Sequence, residues 1–218
     1  KRALPGKDKV TGLDVFQDPR TRFYDIGSGV YPRTGAMLAF RSKGRILAID
    51  PEMREPGYWA PRGVLQLTAI REKFNESQVV PAPISVLCLC HTHSQAPIDL
   101  GKLCAPLPQE KVWSSNTDGI GNVRLPDYTQ ANWIGSNVQL QPKVGDKLLI
   151  VTMPCCTPLD ILDEEAARPI SLEEKSEGKT PQRSWVSWVK VSGKTYEDKL
   201  VLSPMREITL RLFELRQA

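Results

Sequence analysis

Residues 23–51 read FYDIGSGVYPRTGAMLAFRSKGRILAIDP, and this stretch limits the fold more than any other. A short apolar run reaches Asp25, and Gly27 and Gly29 follow. A segment able to form a helix comes next, then a second apolar run from Arg45 to Ile49 that ends in Asp50. Strand, glycine turn, helix and a strand closed by an acid all fit within the roughly 30 residues of one βαβ unit. Such a unit implies parallel strands and places a nucleotide-like ligand at their carboxyl ends.

The glycines let the backbone turn sharply and approach a ligand that a side chain would block. Asp50 is placed to accept hydrogen bonds from two ribose hydroxyls. The GxGxxG spacing is not met, because Gly35 comes six residues after Gly29. Asp25 adds negative charge beside the turn, which argues against a pyrophosphate and for a ligand with a cationic centre. The plain alternative is a βαβ turn that holds no ligand.

Asp25, Gly27, Gly29 and Asp50 together resemble the first two motifs of the class I S-adenosylmethionine-dependent methyltransferases, D-x-G-x-G after strand one and an acid closing strand two. The resemblance implies an α/β, Rossmann-like methyltransferase fold. Its sheet is mostly parallel, of the seven-stranded type, and ends in an antiparallel hairpin. It also implies S-adenosylmethionine as cofactor. Asp25 would serve the methionine amino end through backbone and water, Gly27 and Gly29 would leave room, and Asp50 would hold the ribose. The strand-three end near Thr68 and Ala69 would flank the adenine.

The rest of the chain is consistent with one domain. At 218 residues, with 40% hydrophobic and 25% charged residues, it is long and apolar enough for a core. A net charge of +4 permits an RNA partner without requiring one. No apolar run approaches the ~18 to 20 residues needed to span a bilayer, so no membrane role is expected. No signal peptide is visible, although a chain starting at Lys1 leaves a removed targeting segment open. Five cysteines, two of them adjacent at 155 and 156, point to a reducing compartment: cytoplasm, nucleus or mitochondrial matrix.

Patterning predicts an N-terminal arm over 1–20 and a methyltransferase-like domain over 21–218. Strands are expected at 22–26, 45–49, 64–69, 84–90 and 148–153, with a helix over 33–42 that Gly44 ends. Residues 51–62 read as a proline-rich loop, and 70–77 and 99–104 as short helices. Residues 106–143, rich in Gly, Asn, Ser and Pro, read as an insertion or lid, and 159–167 as partly helical. The alternating segment 184–191 reads as a strand that Gly193-Lys194 turns into 199–202, and 207–215 as the closing strand.

A second constellation sits beyond strands four and five. Strand four runs into Cys90-His91-Thr92-His93-Ser94, with Asp99-Leu100 after it, and strand five into Met153-Pro154-Cys155-Cys156. Both ends belong to the rim that carries Gly27 and Asp50. This pair is similar to one methyltransferase family, including tRNA 2′-O-methyltransferases with an H-x-C-G element after strand four and Cys-Cys after strand five. Here His91 matches the family histidine, but His93 stands where the family has cysteine and Ser94 where it has glycine. The likeness covers roughly residues 22–160 and implies His91 as the catalytic group, with His93, Pro154, Cys155 and Cys156 on the substrate side.

The bland readings are a hydrogen-bonded strand-end histidine and cysteines that pack a turn. Zinc is not expected, because no C-x₂-C pair occurs. RNA is the expected acceptor, through the family likeness and through Trp113, Tyr128 and Trp133, which could stack bases or anchor loops. The alternative is a catalytically inactive subunit of the same fold, serving as a structural or assembly component among protein partners in a ribonucleoprotein. A nicotinamide-dependent oxidoreductase is weaker without the third glycine.

Overall fold

A computed structural model describes residues 14–54, 56–59, 67–89, 98–104, 106, 139–152, 161–162, 169–174, 182–197 and 207–218. It carries a nine-stranded mixed sheet. The parallel heart is β1 (Arg22–Ile26), β2 (Arg45–Ile49), β4 (Leu67–Ile70), β5 (Ile84–Leu89) and β7 (Lys147–Thr152). In space they lie as β4-β2-β1-β5-β7, all parallel. Counted along the chain, that order is 3-2-1-4-5, the doubly wound pattern whose connections reverse direction beside the first strand. The fold is therefore α/β and Rossmann-like.

Antiparallel strands extend both edges. β3 (Gly57–Trp59) pairs with β4 on one side. On the other, β11 (Glu207–Gln217) pairs with β7, β10 (Gln182–Glu197) with β11, and β9 (Ile170–Glu174) with β10. The β10–β11 pair is the expected C-terminal antiparallel hairpin. A separate two-strand ladder joins β6 (Ile98–Asp99) to β8 (Ile161–Leu162).

Side-chain alternation gives the sheet two buried faces. Tyr24, Ile26, Leu47, Ile49, Leu87 and Leu89 enter one core, with Phe213 and Leu215 of β11. Phe23, Ile46, Ala48, Val86 and Leu149 enter the other, under helix α1 (Arg33–Arg41). The same parity puts Asp25 on the α1 face, because it lies two residues beyond Phe23 and pairs with Ala48. On the opposite face the buried Tyr24 hydroxyl accepts the Val80 N–H at 2.8 Å, which pins the segment leading into β5.

Expected and observed elements differ where tertiary pairing overrides local pattern. Residues 57–59 are an edge strand within the expected loop. The expected helix at 70–77 is instead the end of β4 and a single 3₁₀ turn at Glu76–Gln78, capped by Asn75. At 99–104 the only helical residues are Leu100–Lys102, again as 3₁₀, after Asp99 has ended β6. Residues 161–162 are a strand, not helix. Gly193-Lys194 does not reverse the chain. β10 runs sixteen residues straight through it, because β11 is long enough to pair with it to Glu197, and the register shift between Lys190 and Ser192 absorbs the irregularity. The candidate strand 199–202 and most of the 106–143 segment lie outside the described residues. The end of the expected N-terminal arm joins the body: Val15 is buried, and the Phe16 ring stacks on Phe23 at 5.8 Å. Among the described residues, no helix is long and apolar enough to cross a membrane.

The crossing from α1 into β2 is made at Gly44. A Cβ there would lie 2.5 Å from the Thr21 carbonyl oxygen and 2.9 Å from the Phe23 ring. That carbonyl is already held by the Arg45 N–H at 3.1 Å. The neighbour is backbone and cannot give way cheaply, so Gly44→Ala is expected to destabilise the fold by about 3 kcal/mol, measured as a shift in urea midpoint with unchanged slope.

Candidate functional site

Register aligns the strand tips. Ile26 pairs with Ile49 on one side and Leu89 on the other, Leu89 pairs with Thr152, and Ile49 with Ile70. The chain therefore leaves β1, β2, β4, β5 and β7 on one rim, at the reversal point between β1 and β5 where open α/β sheets bind ligands. Gly27, Asp50 and Arg71 are the first residues past their tips.

The glycine turn is tied down by β2. Gly27 and Ser28 donate N–H groups to the Ile49 carbonyl at 2.9 and 3.4 Å. Gly27 (φ +70°) and Gly29 (φ +81°) both occupy left-handed backbone, which explains glycine at each position. The Asp50 carboxylate reaches across the rim. Its Oδ2 accepts the Gly29 N–H at 2.8 Å, and its Oδ1 accepts the Glu52 N–H at 2.7 Å. Each oxygen keeps a second lone pair. A side chain at Gly29 would meet nothing within 4 Å, so space is open beside the turn.

Asp25 does something different from the expected ligand contact. Its carboxylate is fully buried beneath the first turn of α1, where Oδ2 accepts the Gly35 N–H at 2.8 Å. Gly35 is there because a Cβ would come within 3.0 Å of Leu67 and 3.3 Å of Asp25. It thus performs the close helix–sheet packing that the third glycine of GxGxxG provides. The spacing is longer only because Val30 to Pro32 intervene before the helix starts. Burial pushes the Asp25 carboxyl up to about 6, the Gly35 N–H pulls it down, and the nearby Asp50 charge adds to the rise.

Thr68 and Ala69 lie within β4 rather than at its tip. Both are buried, flanked by β2 and β3. The tip itself is Ile70, whose carbonyl takes the Asp50 N–H at 3.2 Å, followed by Arg71. Arg71 belongs to none of the sequence motifs. Its guanidinium donates to the carbonyls of Met53 and Arg54, the latter at 2.6 Å, and so frames the loop that carries Asp50. Arg54 in turn donates its N–H to the Val30 carbonyl at 3.1 Å, closing this loop onto the glycine turn. The available signal was position: a cation directly after the third parallel strand.

His91, His93, Pro154, Cys155 and Cys156 lie outside the described residues, as do Trp113, Tyr128 and Trp133. Their strands, β5 and β7, end side by side on this rim.

No protein-family model matches the chain, and no curated protein matches it. Among solved structures, the chain is similar to one described as "DhpI-SAM-HEP complex", at 10% identity and a TM-score of 0.29, over 89% of this chain and 78% of that one. The fold is fixed by the strand order and register above, not by that likeness.

Asp25 gives a pH signature with a definite sign. In the folded protein it titrates at about 6, above the ordinary aspartate value of 3.8, so its protonated form favours the folded state. This contribution is fully present below about pH 4 and is lost as pH rises through about 6. Asp25→Asn keeps an acceptor for the Gly35 N–H and removes the buried charge. The variant is expected to gain about 2 kcal/mol over the parent at pH 7.5 and little at pH 4, read from chemical denaturation at both values.

Proposed function

We propose that this chain binds S-adenosylmethionine at the tips of β1 and β2 and is a methyltransferase, with RNA as acceptor. The observation that carries the reading is the contact of Asp50 with Gly29. A positive-φ glycine with open space beside it is joined to a carboxylate where a nucleoside sugar would lie in a doubly wound sheet. The second lone pairs of Asp50 are suited to a pair of ribose hydroxyls, and Gly27 and Gly29 present backbone without side-chain obstruction. Asp25 acts indirectly, setting the height of α1 and hence the turn above it.

The bound donor would supply an activated methyl group on a sulfonium, so the protein's task is to align the acceptor and exclude water. In the transfer the acceptor–carbon bond forms as the sulfur–carbon bond breaks, and the acceptor proton must go to a base if the acceptor is a hydroxyl. His91 is the group we assign to take that proton, with His93, Pro154, Cys155 and Cys156 on the acceptor side. The RNA assignment draws support from the likeness to tRNA 2′-O-methyltransferases and from the mild positive charge.

One observation favours a second reading. Both Asp50 oxygens already hold backbone N–H groups, an arrangement that suits a rigid scaffold without catalysis in a ribonucleoprotein.

Calorimetry separates these readings. S-adenosylmethionine is expected to bind, and Asp50→Ala to weaken binding by about tenfold or more while the protein stays folded by circular dichroism. NADH titrated in parallel should give no heat. An absence of heat with S-adenosylmethionine in the parent protein would sink the cofactor assignment. Binding without transfer of a tritiated methyl group to total RNA or to protein would leave the scaffold reading.

A further inference from the structure

Helix α1 carries two large apolar side chains on the face turned away from the sheet. Gly35 and Ala39 are buried against the sheet. Directly opposite, a quarter-turn band holds Arg33, Met37, Phe40 and Arg41, all exposed. Phe40 is 74% exposed and Met37 61%, at the three-residue spacing that stacks side chains along one helix face. Exposed apolar side chains grouped on one face and rimmed by polar residues mark an interaction site. Phe16, itself 37% exposed, extends the apolar area toward the helix exit, where its carbonyl accepts the Lys43 N–H at 2.7 Å.

Charge on the helix and on the segment that leaves it has one sign, while Asp18, on the far side of Phe16, is paired with Arg20. Between Asp25 and Asp50 the chain carries Arg33, Arg41, Lys43 and Arg45 and no acid. Arg33 occupies the first helical turn, where the helix dipole disfavours a cation and where no acid is present. Its charge therefore does nothing for the helix itself. Arg33, Arg41 and Lys43 make no ion pair among the described residues. A centre of Met and Phe ringed by arginine is the anatomy of a protein interface, whose core is apolar and whose composition is enriched in aromatic residues, Met and Arg.

We propose that the outward face of α1, centred on Met37 and Phe40, is a docking surface for a separate protein that presents an acidic segment with apolar anchors. The positive charge of Arg33, Arg41 and Lys43 beside Met37 and Phe40 selects the acidic partner. A second copy using the same face would set arginine against arginine, which disfavours self-association. A nucleic-acid surface would run a groove of cations along the backbone with successive rings for stacking, whereas here the cations are peripheral and Phe40 shares the centre with the Met37 thioether. The surface lies on the outer side of α1, so this proposal does not depend on the cofactor assignment.

The test uses short random peptides displayed on phage. They are selected on the full chain and counter-selected on a Met37→Glu/Phe40→Glu variant whose thermal midpoint matches the parent. Phe40→Ser serves as a milder variant if the double substitution unfolds. The expected outcome is enrichment of acid-rich sequences carrying Leu, Phe or Trp, whose synthetic versions bind about tenfold more weakly to either variant. Arg33→Gln/Arg41→Gln should weaken them as well, as should added salt. The proposal is overturned if no sequence survives counter-selection, or if the survivors lack acids. It is equally overturned if sedimentation shows a dimer abolished by Phe40→Ser, or if an oligouridylate probe binds the parent and loses affinity on Phe40→Ser while the peptides do not.

Discussion

A buried carboxylate against a bare backbone sets the geometry of this molecule. Asp25 lies under the first turn of α1 and holds the Gly35 N–H, and a Cβ at Gly35 would press on Leu67 at 3.0 Å and on that carboxylate at 3.3 Å. The pair fixes how close the helix approaches the sheet. The turn from Gly27 to Pro32 must then bridge a set distance from the tip of β1 to the start of α1. Gly27 and Gly29 make that bridge possible by adopting left-handed backbone, and Asp50 takes up the Gly29 N–H that results. Helix position, turn shape and the acid at the rim are parts of one arrangement.

Two carboxylates that look alike in sequence therefore do different work. Asp25 is enclosed, carries a raised pKa and bonds to a helix N-terminus. Asp50 stands at the rim with its oxygens on backbone donors from two loops. The difference follows from strand parity and strand ends. Asp25 is inside β1 on the helix-covered face, while Asp50 is the first residue after β2. Arg71 completes the rim from the third parallel strand by holding the loop that follows Asp50.

Much of this was legible in the sequence where local pattern and tertiary role agree. The bounds of β1 and β2 follow from short apolar runs closed by glycine or acid, and α1 from its apolar positions and Gly44. The function of Gly35 was hidden, because its offset from Gly29 breaks the familiar spacing while its packing role is preserved. Thr68 and Ala69 were read as a strand tip, but β4 continues to Ile70 because Ile49 is there to pair with it. β3 was invisible in a proline-rich stretch, since three residues pair only through the edge that β4 offers. Gly193 signals a turn by itself, and only a partner as long as β11 keeps it in a strand.

The two ends of the sheet bear on how the protein behaves in a crowded solution. A parallel core of this kind has strands with unsatisfied amides at each margin, a template on which other chains could polymerise. Here β4 is not the margin, because the three residues of β3 cover it, and the far margin among the described residues is the five-residue β9. Terminal strands this short give an incoming strand little length to zip along. Among the described residues the long β11 is flanked by β7 and β10, while β10 pairs with β9 over Gln182–Val186 and with β11 over Val186–Glu197.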